Sequence, residues 1–304
     1  MSRDEEREED EVVDDEQRRE PWGPFELAIA GMTHVGRTRR INQDAFDRFD
    51  DRDRGEILLV VADGLGGHRG GEVASKMAVG TLGKLVREAE GEAEVRLLEA
   101  IRHANEFIFR AATKDRTLKG MGTTVVALLL RADGSAFVAH AGDSRLYRIR
   151  EGRIEPLTED HSVVALMVRE GLIQPEEARD HPKKNQIMRA LGVSDEIETD
   201  VAPVEVRPGD SYLLCSDGLY GMLPDEDLRR ISGSAPDPET AVAWLIDAAN
   251  QAGGADNITA LLVRVFAPAG PAAPRPEASA LPDATLPEAT LPDSARDPLK
   301  NLRS

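Results

Sequence analysis

Apolar residues along the chain gather in short runs and stripes, separated by charged or glycine-containing turns. The run Ile57–Ala62 is unbroken and predicts a buried strand. Leu27–Met32, Val125–Leu130, Ala136–Ala141, Leu146–Ile149, Ser211–Ser216 and Ile258–Phe266 predict further strands. Polar turns at Arg52–Gly55, Asp133–Gly134 and Glu151–Gly152 are short enough to make neighbouring strands antiparallel. Helical spacing lies between the strands. Val73, Met77, Leu82, Leu85 and Val86 fall on one face, and Leu98, Ile101, Ile108 and Ala111 on another. Pro224–Arg230 and Thr240–Ala252 also read as helices. The stretch from about 161 to 190 is charged and irregular, and reads as a helical insertion over a site.

The ends break this pattern. Arg3–Glu20 is nearly all Asp, Glu and Arg, too polar to offset its ordering entropy by burial. After Phe266 the chain turns to Pro, Ala and Thr. There Leu281–Thr285 recurs as Leu286–Thr290 and in part as Leu291–Asp293. Proline at this density favours extended, unpaired backbone. The expected organisation is an acidic disordered tail over 1–22, one domain over 23–267 and a flexible tail over 268–304. The net charge of −18 argues against nucleic-acid and anionic-membrane partners. The single cysteine, Cys215, excludes an intramolecular disulfide and reads as a small buried strand residue. With a charged N-terminus and no apolar run near the ~20 residues of a bilayer span, the expected location is the cytoplasm.

The chemistry of the chain is concentrated where strands stop. Asp63-Gly64, Asp143-Ser144, Asp217-Gly218 and Asp256-Asn257 each lie beside an apolar strand, and glycines crowd the segment after Asp63. One such aspartate is ordinary turn chemistry. Four of them need partners, because carboxylates gathered beside buried strands repel one another unless cations lie among them. A donor set made of oxygen, with little His or Cys, suits magnesium or manganese rather than zinc. The segment Gly36–Phe46 adds cations, an amide and a carboxylate. It reads either as a charged turn or as an arginine that forks onto phosphate oxygens, next to a carboxylate that holds metal-associated water.

Taken in order, these motifs resemble the bacterial form of the metal-dependent, type 2C serine/threonine protein phosphatases, over about Leu27–Phe266. The motifs are Arg39–Asp44, Val61–His68, Gly122-Thr123-Thr124, Gly142-Asp143-Ser144-Arg145, Asp160-His161-Ser162, Cys215-Ser216-Asp217-Gly218 and Asp256-Asn257-Ile258-Thr259. His181-Pro182 with Asn185–Gly192 is similar to the family's flap region. The resemblance implies an α+β, four-layer αββα sandwich: two antiparallel sheets face to face, with helices on both outer sides. It implies two Mn2+ or Mg2+ ions at one edge, with Asp63 bridging them, Gly64 offering its carbonyl, and Asp217 and Asp256 completing one shell. Asp143, with Asp217, matches the carboxylates of a third, weaker ion. Asp44 is expected to orient water and Arg39 to hold the substrate phosphate. The implied reaction is hydrolysis of phosphoserine and phosphothreonine in proteins by metal-activated water, without a covalent enzyme intermediate.

Two positions depart from eukaryotic members. Gln43 stands in place of a glutamate, and Leu65 in place of a histidine suggested as general acid, with His68 three residues on. A cysteine-based phosphatase would need Arg six residues after Cys215, where Gly221 stands. An aspartyl-phosphate enzyme would need paired aspartates after an apolar strand, whereas Asp51 and Asp53 lie in a charged turn. The remaining alternative is a catalytically silent phosphoprotein-binding scaffold on the same fold, which loss of metal carboxylates would favour. The expected partners are phosphorylated proteins, a Ser/Thr kinase among them, with no nucleic acid and no membrane, and the chain is expected to be a monomer.

Overall fold

The computed structural model describes residues 19–66 and 70–268, and sorts the strands into two antiparallel sheets. The first sheet runs in the spatial order β1 (Glu20–Trp22), β2 (Phe25–His34), β12 (Ile258–Phe266), β11 (Ser211–Cys215), β8 (Arg145–Arg150), β9 (Arg153–Pro156). The second runs β10 (Asp200–Glu205), β7 (Ser135–Ala141), β6 (Val125–Arg131), β4 (Glu56–Leu65), β3 (Asp44–Asp51), with the two-residue β5 (Gly122–Thr123) paired to the end of β4. Both expected tails and His68 lie wholly or largely outside the described residues. β1 takes up Glu20–Trp22 and pairs with β2, with Trp22 buried. The sheet therefore begins within the stretch whose composition pointed to a tail.

The central strands are covered on both sides, which is why they read as continuous apolar runs rather than alternating ones. Along β4, Leu58, Val60 and Ala62 pack towards helices, while Ile57, Leu59 and Val61 pack between the sheets. Successive side chains of a strand point to opposite faces, so one run of six serves two cores. β12 divides in the same way: Leu261, Val263 and Val265 enter the inter-sheet core, and Ile258, Ala260 and Leu262 the outer one. Helices α1 (Gly70–Glu88) and α2 (Ala93–Lys114) cover the second sheet. Helices α6 (Asp225–Ser234) and α7 (Pro238–Gln251) cover the first. The result is the expected αββα order of layers. None of the described helices is long and apolar enough to cross a membrane.

Two elements differ from the sequence expectation. The inward stripe of α2 is Leu97, Ala100, Ile101, Ala104 and Ile108, with Leu98 at its margin. The insertion between β9 and β10 is mostly turns, with helix only in α3 (Val163–Arg169) and the four-residue α4 (Pro175–Ala178). Gly171 takes a positive φ of 68°, and Pro175 and Pro182 follow, so no long helix can persist there. A four-residue helix, α5 (Asp217–Tyr220), directly follows β11.

Candidate metal and phosphate site

The two sheets end together at one edge, and each brings carboxylates to it. In the second sheet Asp44 lies directly opposite Asp63 in the β3–β4 register, so their side chains share a face. In the first sheet Asp217 lies two residues beyond β11, and Asp256 lies two residues before β12, the antiparallel neighbour of β11. Asp143, in the connection from β7 to β8, joins them where the chain passes from one sheet to the other. Every carboxylate expected at the site is therefore at one place.

Close packing at glycines brings these segments together. A Cβ on Gly218 would lie 1.9 Å from the carbonyl oxygen of Asn257, so only glycine lets the Asp217 turn meet the Asp256 turn. A Cβ on Gly64 would lie 2.2 Å from the Gly71 carbonyl oxygen and 2.5 Å from that of Gln43. The Gly64 amide donates to Gln43 O at 3.1 Å, and the buried Ser75 hydroxyl donates to the same oxygen at 2.6 Å. Gly64 is needed here for backbone approach, in addition to any carbonyl it offers.

Hydroxyls and one amide fix the carboxylates, and the sequence reading gave them no role. Asp44 Oδ2 accepts from Ser216 Oγ at 2.7 Å and Thr259 Oγ1 at 2.6 Å. The Asp63 backbone is held on both sides: its amide donates to Thr124 Oγ1 at 3.0 Å, and its carbonyl accepts from Thr123 Oγ1 at 2.9 Å. Thr124 Oγ1 meets Ser144 Oγ at 2.6 Å, which ties the Gly-Thr-Thr and Gly-Asp-Ser-Arg motifs together. The buried Asn257 side chain accepts from Gln43 N at 2.8 Å and donates to Val35 O and Ile41 O at 2.9 and 3.0 Å. It thus staples the segment that carries Arg39 and Asp44. All of these residues lie within the quoted motifs. The available signal was a small polar residue flanking a strand-end aspartate, since a buried carboxylate requires donors.

The Asp160-His161-Ser162 motif roots the insertion in the same edge. Asp160 takes a two-pronged contact from Arg145 at 2.8 and 2.7 Å, and the Arg145 guanidinium lies 3.7 Å above the Tyr220 ring. Tyr220 Oη donates to the Asp143 carbonyl at 2.9 Å. His161 Nδ1 accepts from Gly142 N at 3.2 Å, and Ser162 caps α3 by accepting from Ala165 N at 3.2 Å. A second group of metal-ligating residues, His140, His161 and Asp200, has donor atoms within 4.8 Å of one another. Arg189 Nη1 already sits 2.9 Å from His161 Nε2 and 3.0 Å from Asp200 Oδ1, so a guanidinium supplies the cation there.

Burial and mutual repulsion mark the cluster electrostatically. Burial first, then Asp217 and Asp256 nearby, raise Asp44 to about 7. Asp143 rises to about 8 through burial and the charges of Asp217 and Asp160. Asp217 rises to about 6 through burial and Asp256, and Asp63 stands well above the usual carboxylate range through burial and all four neighbours. Oxygens Oδ1 of Asp44 and Oδ1 of Asp217 are buried with no hydrogen-bond partner among the described residues. Orphaned carboxylate oxygens in an all-oxygen cluster fit hard divalent cations. Arg39 stands at the rim, with Nη2 2.8 Å from Asp256 Oδ2. Cys215 is fully buried, and burial lifts its thiol far above the ordinary range, which leaves it no nucleophilic role.

Comparison with known proteins points the same way. The family profile described as protein phosphatase 2C matches residues 30–256. The chain is 41% identical over 236 residues to the serine/threonine phosphatase Stp of Listeria innocua, covering 76% of this chain and 93% of that protein. The solved structure of the Mycobacterium tuberculosis serine/threonine phosphatase PstP/Ppp superposes with a TM-score of 0.72 at 36% identity, over 79% of this chain and 99% of that one. A PstP catalytic domain in complex with two manganese ions gives 0.70 at 35% identity, over 79% and 98%.

Proposed function

Because this chain belongs to the protein phosphatase 2C family, and is therefore a metal-dependent serine/threonine protein phosphatase, we propose that the Asp63 cluster is its reaction centre. The observation that carries this reading is the convergence of five carboxylates from both sheets, two of them with buried oxygens that have no hydrogen-bond partner among the described residues. Asp63 and the Gly64 carbonyl, with Asp217 and Asp256, would hold two ions of the magnesium–manganese class. Asp143, with Asp217, would hold a third. Such ions, when bound, offset phosphate charge and acidify water.

The remaining work falls to the chain's own side chains. Ser216 and Thr259 immobilise Asp44 through Oδ2 and leave Oδ1 to orient water for in-line attack. Arg39 spends one donor on Asp256 and keeps the rest of its fork for phosphate oxygens. Asn257, Thr123 and Thr124 hold these groups in register so that little reorganisation is needed. The substrates are phosphoproteins, and Ser/Thr kinases carrying activating phosphates are fitting ones. The test is phosphate release from a phosphothreonine peptide and from p-nitrophenyl phosphate, with and without Mn2+ or Mg2+. Turnover should require the metal and vanish on chelation. Undiminished turnover after exhaustive chelation would contradict the reading.

A further inference from the structure

The carboxylate edge opens into a groove of about 660 Å³ that reaches under the insertion between β9 and β10. That volume is far larger than a phosphoryl group, so the groove accommodates residues flanking the one being hydrolysed. Its lining includes the apolar side chains of Val164 and Val168 of α3, Pro175 of α4, and Met222 and Leu223 after α5. Five cations line it, and they are not equivalent. Arg39 faces Asp256, Arg145 is closed off by Asp160, and Arg169 meets Glu159 at 3.2 Å. Arg179 and Lys184, both on the insertion and both exposed, have no carboxylate partner among the described residues. Arg179 Nη2 donates to Gly221 O at 3.4 Å, which holds the guanidinium against the end of α5, the helix that Asp217 begins. The same lining carries six carboxylates, Asp143, Glu159, Asp160, Asp217, Asp225 and Asp256, yet among the described residues none forms an ion pair with Arg179 or Lys184.

We infer that Arg179 and Lys184 form a second anion subsite, which favours substrates carrying a further anionic group near the phosphoserine or phosphothreonine being cleaved. The inference rests on the assignment of the neighbouring cluster as the reaction centre. A guanidinium fork and a point-charge ammonium recognise either a carboxylate or a second phosphate. Both residues are exposed, so the attraction is screened by salt, and selectivity arises through kcat/KM rather than through the chemical step.

The experiment uses phosphothreonine peptides of one otherwise neutral sequence. A single anionic residue, aspartate in one series and phosphoserine in the other, is moved stepwise from four residues before the phosphothreonine to four after it. Neutral peptide and p-nitrophenyl phosphate are the references. The wild-type chain should favour the anion-bearing peptide at particular registers by roughly tenfold in kcat/KM at low salt, the size of one charge-assisted contact. The readout is the ratio of anion-bearing to neutral peptide, which a general disturbance of the insertion would leave unchanged. That ratio should fall towards one in the Arg179→Ala, Lys184→Ala double variant. It should invert in favour of lysine-flanked peptides in the Arg179→Glu, Lys184→Glu variant. A response in the phosphoserine series alone assigns the subsite to a second phosphate, and a response in both assigns it to acidic groups in general. A ratio near one at every register in the wild type, or a preference that survives charge reversal, overturns the inference. Absence of turnover on neutral peptide and p-nitrophenyl phosphate alike would instead count against the reaction-centre assignment.

Discussion

Arg37, Arg39 and Arg40 are three arginines within four positions, and only their surroundings tell them apart. Arg39 reaches Asp256 at the mouth of the carboxylate cluster. Arg39→Ala is expected to lower kcat/KM by roughly ten- to hundredfold, the worth of a charged fork on phosphate, while Arg37→Ala stays near wild type. If the fork grips ground and transition states equally, the loss appears in KM. Asp63→Ala should take kcat below detection, because Asp63 lies within the electrostatic reach of all four other carboxylates and is the residue proposed to hold both ions. Steady-state kinetics on the three variants decide the matter, and equal near-wild-type values for both arginine variants would reject the assignment. The aspartates themselves were legible in the sequence, because a charge abutting an apolar strand is conspicuous. Their donors were not. Ser216 and Thr259 hold Asp44 from 172 and 215 positions away, and nothing local distinguishes those hydroxyls from any others until β11 and β12 are seen to pair.

At the scale of elements, the segment from Val35 to Gln43 is held largely from outside itself: the Asn257 side chain takes Gln43 N, Val35 O and Ile41 O, and the Gly254 carbonyl accepts from Arg37 N and Thr38 N. Asn257→Ala would strand Gln43 N, Val35 O and Ile41 O, at a cost of about 1–3 kcal/mol for each group that stays buried and unpaired. The expected result is a lower melting temperature, faster amide exchange over 36–43 than in the rest of the domain, and a raised KM. Uniform exchange across the domain would show that Asn257 supports the fold alone and not the segment. The strands that sequence patterning located are those buried on both faces or bounded by tight turns, such as β4, β6 and β12. Those it missed have physical reasons. β10 contains Pro203 and an acidic residue at each end, Asp200 and Glu205, and survives because it lies at a sheet edge, where a missing amide is tolerated. β1 is three residues long and is recognisable only by its pairing to β2. The insertion carries helical periodicity for a single turn or two, and its glycine and prolines end each attempt.

At the scale of the whole molecule, the raised carboxylates make stability depend on pH and on metal together. A carboxylate whose pKa is higher in the folded protein binds more protons there than in the unfolded chain. Its contribution is therefore full below the ordinary value near 3.8 and is lost as pH rises through the folded values of about 6 to 8. His161, lowered from 6.5 by burial and by the nearby His140 and Arg189, acts in the opposite sense, but only below about 6.5. In chelator, the melting temperature should fall between pH 6.5 and 8, and Asp217→Asn should flatten the fall by removing one of the crowded charges. With Mn2+ the same interval should show a rise, since fewer protons compete for the ligands. Scanning calorimetry over that interval tests both, and a chelated protein insensitive to pH there would contradict the electrostatic picture. The site also lies across a seam. Asp44 and Asp63 belong to one sheet, Asp217 and Asp256 adjoin the other, and packed sheets stand about 10 Å apart on the side chains between them. Leu59, Val61, Val126, Leu214 and Val263 are that spacer. Aliphatic residues remote from the proposed ions would therefore act as the gauge block of the jaw, and Val61→Ala or Val263→Ala should shift the preference between ions of different radius without touching a ligand.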